Sequence, residues 1–291
     1  MHILINDRLV SAEEAVISPF DHGFLYGMGL FETFRVYDGH PFLLDDHLDR
    51  LNRGLSTLNI EAAFSREELA GKISMVLERN GCTNANVRLN VSAGIEELGL
   101  PPDVYSSPQT ILFARPLPPA GEMAEKQLVL LKMRRNTPEG DERLKSHHYM
   151  NNILAKRELG NTPGQEGIFL TKEGFLAEGV VSNLFWTKGN ILYTPSLETG
   201  ILNGITRQFV LLLAEKNGLQ VQEGFYQAEE MMRADEVFVT NSIQEIAPAA
   251  SFAGVSFPGG AGRLAGMLHK EYRKYSSHLW GREGLLMEGQ R

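Results

Sequence analysis

Residues 114–122 read ARPLPPAGE, with three prolines and one glycine in a short run. Proline has no N–H for a sheet ladder, and its ring clashes with the preceding turn of a helix. Neither element can therefore run through this stretch. Prolines at this density favour an extended connector. The chain is thereby divided into an N-terminal α/β domain over 1–115, a linker over 116–122 and a larger C-terminal domain over 123–291. Each part is long enough to bury its own core.

The patterning on both sides predicts an α+β fold with antiparallel hairpins rather than an alternating βαβ series. Before the linker, HILIN (2–6), FETFRVYDGHPFLL (31–44) and ANVRLNVSAG (85–94) read as strands, with Asp38-Gly39 as a hairpin turn. Leu48, Leu51, Leu55 and Leu58 recur at helical spacing over 44–58. SREELAGKISMVLERNG (65–81) opens with a capping box and closes on Gly81. After the linker, 125–133, 166–179, 182–195, 219–226 and 236–241 read as strands, with hairpin turns at KEG and KGN. Helices are predicted over 149–160, 203–217 and 227–234 and near 261–278. The tail 281–291 has little to hold it and is expected to lack structure.

The totals exclude several functions. A net charge of −8 without a basic block argues against non-specific nucleic-acid binding. Apolar runs such as FVLLLA (209–214) are too short to span a bilayer. The start, MHILINDRLV, lacks the basic-then-apolar order of a signal peptide. Cys82 is the only cysteine, so no intrachain disulfide can form. A reducing, cytoplasmic setting is expected.

RLKSHHYMNN (143–152) sets Lys145 just before two histidines. Adjacent histidines on a helix point about 100° apart and cannot chelate one ion from one face. The remaining histidines show no HxxxH spacing, so no metal is expected. Neither GxSxG nor GxxxxGK[ST] is present, which removes a serine-hydrolase elbow and a nucleotide loop. TGILNGITRQF runs from a turn into a helix. Its first N–H groups, near Ile205 and Thr206, can bind an anion, or the helix is simply capped by Asn203. Ser242 lies in a second polar turn, TNSIQEIAP, that can bind phosphate or only close a turn. Arg50 flanks the leucine stripe and is either an inward anchor or a solvated side chain. Glu178 ends an apolar run, where a carboxylate needs a partner.

Taken in order, SPFDHGFLYGMGLFETFRVYDG, HLDRL, Lys145 before YMNNILAKRE, EGIFLTKEGFLAEGVVSNLF, TGILNGITR and VFVTNSIQEIAP resemble the class IV, fold type IV, pyridoxal-phosphate enzymes. The resemblance spans about residues 3–270 and implies that two-domain fold with pyridoxal 5'-phosphate as cofactor. It implies that Lys145 carries the cofactor and moves protons. It further implies that Glu178 pairs with the pyridine nitrogen, and that Arg50, Ile205, Thr206 and Ser242 hold the phosphate. Ser182, Asn183 and Tyr149 complete the cofactor set. The spacing from Lys145 to Tyr149 is one residue shorter than in the branched-chain enzymes. A homodimer acting on a small-molecule substrate is also implied.

The family includes branched-chain aminotransferases, D-amino-acid aminotransferases and 4-amino-4-deoxychorismate lyases. The loop SAGIEELGLPP (92–102) has no arginine or histidine, Phe31 stands where the D-amino-acid enzymes use tyrosine, and Asn86 stands where the branched-chain enzymes use an aromatic. SNLFWTKGNILYTP and GILNGITRQF resemble the lyase branch. That branch eliminates pyruvate from aminodeoxychorismate to leave 4-aminobenzoate for folate synthesis. Arg88 and Arg35 are the expected anchors for the substrate's two carboxylates, and Thr33 the expected hydroxyl near the leaving group. His147 and His148 are expected to line the cofactor's entrance or to cap the following helix.

Overall fold

The structure is a computed structural model that describes residues 1–99 and 103–288. It opens with β1 (His2–Ile5), β2 (Arg8–Ser11), α1 (His22–Tyr26), β3 (Gly29–Tyr37), β4 (His40–Pro41), α2 (Leu44–Thr57), α3 (Arg66–Asn80), β5 (Ala85–Ser92) and β6 (Gln109–Pro116). Then follow β7 (Lys126–Arg134), α4 (Met150–Leu159), β8 (Gln165–Leu170), β9 (Leu176–Gly179), β10 (Asn183–Lys188), β11 (Ile191–Pro195), α5 (Ile205–Lys216) and β12 (Gln220–Gly224). The chain ends with α6 (Ala228–Met231), β13 (Glu236–Asn241), β14 (Glu245–Phe252), β15 (Val255–Ser256), α7 (Arg263–Tyr275) and α8 (Glu283–Glu288).

Two compact units result. The first joins Met1–Gly121, Leu144–His148 and Ser276–Arg291, and the second joins Glu122–Arg143 and Tyr149–Tyr275. This differs from a single cut at 116–122: the lysine segment and the tail belong with the first unit. The tail is not featureless either, since it carries α8. Leu43 N bonds to Leu279 O at 3.1 Å and Arg282 N to Asp46 Oδ2 at 2.7 Å. The part of the tail expectation on 289–291 lies outside the described residues.

The first unit is a six-stranded sheet in the order β2-β1-β6-β5-β3-β4. Along β5 the pleat alternates strictly: Ala85, Val87, Leu89 and Val91 are buried, while Asn86, Arg88, Asn90 and Ser92 are half-buried. In an antiparallel pair directly opposite residues share a face. Glu32, Phe34 and Val36 of β3 therefore sit with Leu89, Val87 and Ala85, and Phe31, Thr33 and Arg35 with Asn90, Arg88 and Asn86. The first face packs on Leu44, Leu48, Leu51 and Leu55 of α2 and Leu69, Ile73 and Val76 of α3. Full burial of such side chains stabilises by roughly 1.5–3 kcal/mol each. Ser65 caps α3 by accepting from Glu68 N at 3.2 Å, and Gly81 ends it at φ 64°, a left-handed angle that suits glycine.

The second unit is a nine-stranded mixed sheet ordered β12-β11-β10-β13-β14-β7-β8-β9, with β15 paired to β14. Its hairpins are antiparallel, but β11–β12, β14–β7 and β7–β8 are parallel. Its core includes Leu184, Trp186, Val237, Val239, Ala247 and Phe252. The α5 helix begins at Ile205 with Gly204 as its N-cap, not at Asn203. Among the described residues no helix is long and apolar enough to cross a membrane.

Candidate active site

The lysine segment is tied to the start of β3. Phe31 N donates to Lys145 O at 2.9 Å and His147 N to Gly29 O at 3.0 Å, and Leu30 and Ser146 form an antiparallel bridge. Extended backbone sends residues 145 and 147 to one side. Lys145 Nζ accordingly lies 4.7 Å from the Phe31 ring centroid, and the His147 ring stacks on Phe31 at 6.3 Å. Neither histidine caps α4, whose N-cap is Tyr149.

The rest of that sheet face is polar. Arg88 Cζ lies 3.8 Å from the Phe31 centroid, and its Nε donates to Asn90 Oδ1 at 2.9 Å. Thr33 is the cross-strand neighbour of Arg88. Arg35 is buried, stacks on Tyr37 at 5.1 Å and donates to Pro118 O at 2.7 Å. The three residues predicted to meet substrate thus share one face, although Arg35 is held at its linker end.

Arg50 faces the opposite side of β3. Its Nε and Nη2 fork onto the two oxygens of Glu32, each at 2.8 Å, and His47 Nδ1 meets Glu32 Oε2 at 2.7 Å. Burial alone would raise the Glu32 pKa, but Arg50 and His47 hold this carboxyl far below the carboxylate range. Burial pushes the His47 pKa down, against the pull of the Glu32 carboxylate.

In the second unit, Glu178 ends β9 and is buried. Its Oε1 accepts from Arg135 Nε at 2.8 Å and lies 3.8 Å from Arg143 Nε. Its Oε2 accepts from Leu202 N at 3.0 Å and from Asn183 Nδ2 at 3.5 Å. Arg143 also donates to Gly200 O and Asn136 O. Burial and the nearby Arg135 charge pull the Arg143 pKa down to about 10. Asn183 Nδ2 further bonds Leu202 O at 2.8 Å. Its Oδ1 occupies the space a Cβ at residue 204 would need, which is why Gly204 precedes α5.

The first turn of α5 has no side-chain cap, which leaves its N–H groups to other acceptors. Thr206 Oγ1 lies 3.3 Å from Ser242 Oγ, and Thr240 Oγ1 is buried with no partner. Ser242 is placed by the turn between β13 and β14, where Asn241 Oδ1 accepts from Ile243 N and Gln244 N at 3.0 and 2.8 Å. Ser182 Oγ donates to Glu166 Oε1 at 2.6 Å. Tyr149 is half-buried beside a cavity of about 610 Å³ that also touches Asn152, Glu166, Val180 and Gln244. No group of three or more His, Cys, Asp or Glu that could hold a metal occurs among the described residues.

The profile of the amino-transferase class IV family matches residues 29–252. The chain belongs to that family. Its members depend on pyridoxal phosphate. An aminodeoxychorismate lyase of Bacillus subtilis is 46% identical over 284 residues, 97% of each chain. A D-alanine aminotransferase of Bacillus licheniformis is 30% identical over 90% of this chain and 92% of its own. The branched-chain amino acid aminotransferase of Escherichia coli superposes at TM-score 0.84, with 28% identity over 96% and 95% of the two chains. These matches show the fold type IV architecture.

Sequence reasoning missed Glu32, Arg135 and Arg143, and the seat that Phe31 provides. Glu32 carried a signal, because its pleat position falls between apolar Phe31 and Phe34 with His47 and Arg50 one helical turn apart on α2. Arg135 carried none, since it closes β7 and meets Glu178 only through the sheet.

Proposed function

We propose that this chain is a pyridoxal-phosphate-dependent aminodeoxychorismate lyase that releases pyruvate and leaves 4-aminobenzoate, for folate synthesis. The observation that carries the reading is the polar sheet face beside Lys145. Arg88, Arg35, Asn86 and Thr33 line up there, where a branched aliphatic side chain would need apolar contacts. The substrate bears two carboxylates, and guanidinium groups are suited to bind them. The 46% identity to the Bacillus subtilis lyase supports the same choice.

The residues present fit the cofactor. Glu178 is a buried carboxylate with positive neighbours, able to accept from a protonated ring nitrogen. Arg135, Asn183 and Leu202 N hold it in place. The uncapped start of α5 at Ile205 and Thr206, with the Ser242 hydroxyl, forms an anion cup. Arg50, oriented by Glu32, would add a guanidinium, and Tyr149 a phenol.

Pyridoxal phosphate, when bound, supplies an aldehyde that condenses with a primary amine and a ring that draws off electron density. Lys145 would hold the cofactor, and its amine, when free, would take the proton from substrate C4. The C3–O bond to the enolpyruvyl group then breaks, that group leaves as pyruvate, and the ring becomes aromatic. Arg88 and Arg35 orient the carboxylates, and Thr33 offers its hydroxyl to the departing oxygen. No amino acceptor is consumed.

A homodimer in the cytoplasm fits the same reading. Phe20, Phe24, Ile95 and Leu98 are exposed apolar side chains on neighbouring segments of the first unit, and such a patch suits a second copy of the chain. The deciding assay supplies aminodeoxychorismate with no keto acid. Release of pyruvate and 4-aminobenzoate in equal amounts supports the lyase. Amino transfer from leucine or D-alanine to 2-oxoglutarate, with aminodeoxychorismate untouched, overturns it.

A further inference from the structure

The two histidines after Lys145 are matched to two glycines before Phe31. A Cβ at Gly29 would stand 2.6 Å from His147 Cε1, and one at Gly27 would stand 2.6 Å from His148 Cδ2. The GMG of YGMGLFE thus forms a seat for the HH of KSHHY. His148 Nε2 meets Tyr26 O at 3.2 Å. The His147 ring stacks on Phe31 with planes 24° apart, and its backbone N–H donates to Gly29 O at 3.0 Å. Its Nε2 is buried with no hydrogen-bond partner.

One residue thereby joins three parts of the lysine's surroundings. The ring shares a side of the segment with Lys145 and packs on the aromatic ring that Lys145 Nζ overlies, while the residue's own backbone N–H bonds the strand to which Lys145 O is tied. Burial and the Arg88 guanidinium push its pKa down.

We propose that His147 is a positioning residue that fixes the Lys145 side chain against Phe31 and so sets how the amine meets the cofactor aldehyde and the substrate proton. The inference rests on Lys145 being the cofactor-bearing amine, and that is tested first. Borohydride reduction of the pyridoxal-phosphate-loaded wild-type protein, followed by peptide mass spectrometry, should label Lys145. A label elsewhere, or none, defeats the reading of Lys145 and this inference with it.

Given the label, His147→Ala should lower kcat about 10- to 100-fold with KM within about threefold, because a misplacement near 1 Å costs about that much. It should also slow the rise of visible absorbance when pyridoxal phosphate is added to apoprotein. His147→Phe keeps a flat ring to pack on Phe31 and should recover most of both rates. A wild-type kcat and loading rate in His147→Ala would overturn the proposal. So would a His147→Phe protein that melts like wild type yet is as slow as His147→Ala.

Discussion

Lys145 Nζ and the Arg88 guanidinium both sit on the Phe31 ring, at 4.7 and 3.8 Å from its centroid. The negative face of an aromatic ring attracts positive charge placed over it. Because Phe31 N also holds Lys145 O, backbone and side chain of one strand residue place the lysine. Phe31→Leu keeps an apolar side chain but removes the π face. Each contact is worth about 0.5–1 kcal/mol, so the loss of both should lower kcat/KM by about tenfold. Steady-state kinetics check this, and because Phe31 is buried a thermal melt should show a modest fall in midpoint beside it.

Glu178 separates two arginines. Glu178→Ala would leave Arg135 and Arg143 buried beside each other with no carboxylate between them. Breaking a buried pair in this way costs about 3–5 kcal/mol, which a denaturant melt of the apoprotein reads directly. Glu178→Gln keeps the shape and should melt closer to wild type. Its turnover should still drop about 100-fold or more, since a neutral amide does not hold a proton on the ring nitrogen.

Much of the first sheet could be read from the sequence, because β5 alternates at every position and Asp38-Gly39 closes a hairpin. The α1 helix was not legible, since five residues are too few to show a period. The β14 strand was hidden by its start at Glu245 and by Pro248. Ser182 and Asn183 looked alike within one motif. Successive strand side chains point to opposite faces, so only Asn183 reaches Glu178 while Ser182 turns to Glu166. The Lys145–Phe31 pairing runs through backbone atoms, which leave no mark on side-chain pattern.

Thr206 and Ser242 should contribute to cofactor affinity as a pair. Their hydroxyls lie 3.3 Å apart, close enough for one phosphate to bond both. Each charge-assisted hydrogen bond is worth about 1.5–3 kcal/mol. Thr206→Val and Ser242→Ala should each raise the Kd for pyridoxal phosphate by about tenfold or more. The double variant should lose less than the sum if the two act on one group. Titration of apoprotein by absorbance measures this independently of turnover.

Glu32→Gln should damage the first unit more than its conservative look suggests. The carboxylate joins Arg50 and His47 in a nearly dry pocket. The amide cannot neutralise Arg50 and no longer carries the charge that His47 and Arg50 share, so the unfolding midpoint should fall. Arg50 would then lose the fork that orients it, so weaker pyridoxal-phosphate binding should accompany the fall in the unfolding midpoint. Unchanged affinity in a destabilised protein would assign Arg50 a structural role alone.

Stability should fall on the acid side of neutrality. Burial is the leading cause of lowered pKa values at His40, His47 and His147. In the unfolded chain each titrates near about 6.5. Below that pH the unfolded state binds protons that the folded state refuses, so stability present above pH about 6.5 is lost as pH drops, at up to about 1.4 kcal/mol per unit for a buried group and less for the half-exposed His40, which solvent screens. The depressed Glu32 carboxyl acts in the same sense, but only below its ordinary range, near pH 4.5. Asp46 opposes it: burial raises its pKa, which favours the folded state in acid. Denaturant melts at intervals between about pH 8 and 5 should show the decline beginning near pH 6.5. His147→Asn removes one of the three titrations and should flatten the slope, whereas an unchanged slope would show that His147 titrates alike in both states.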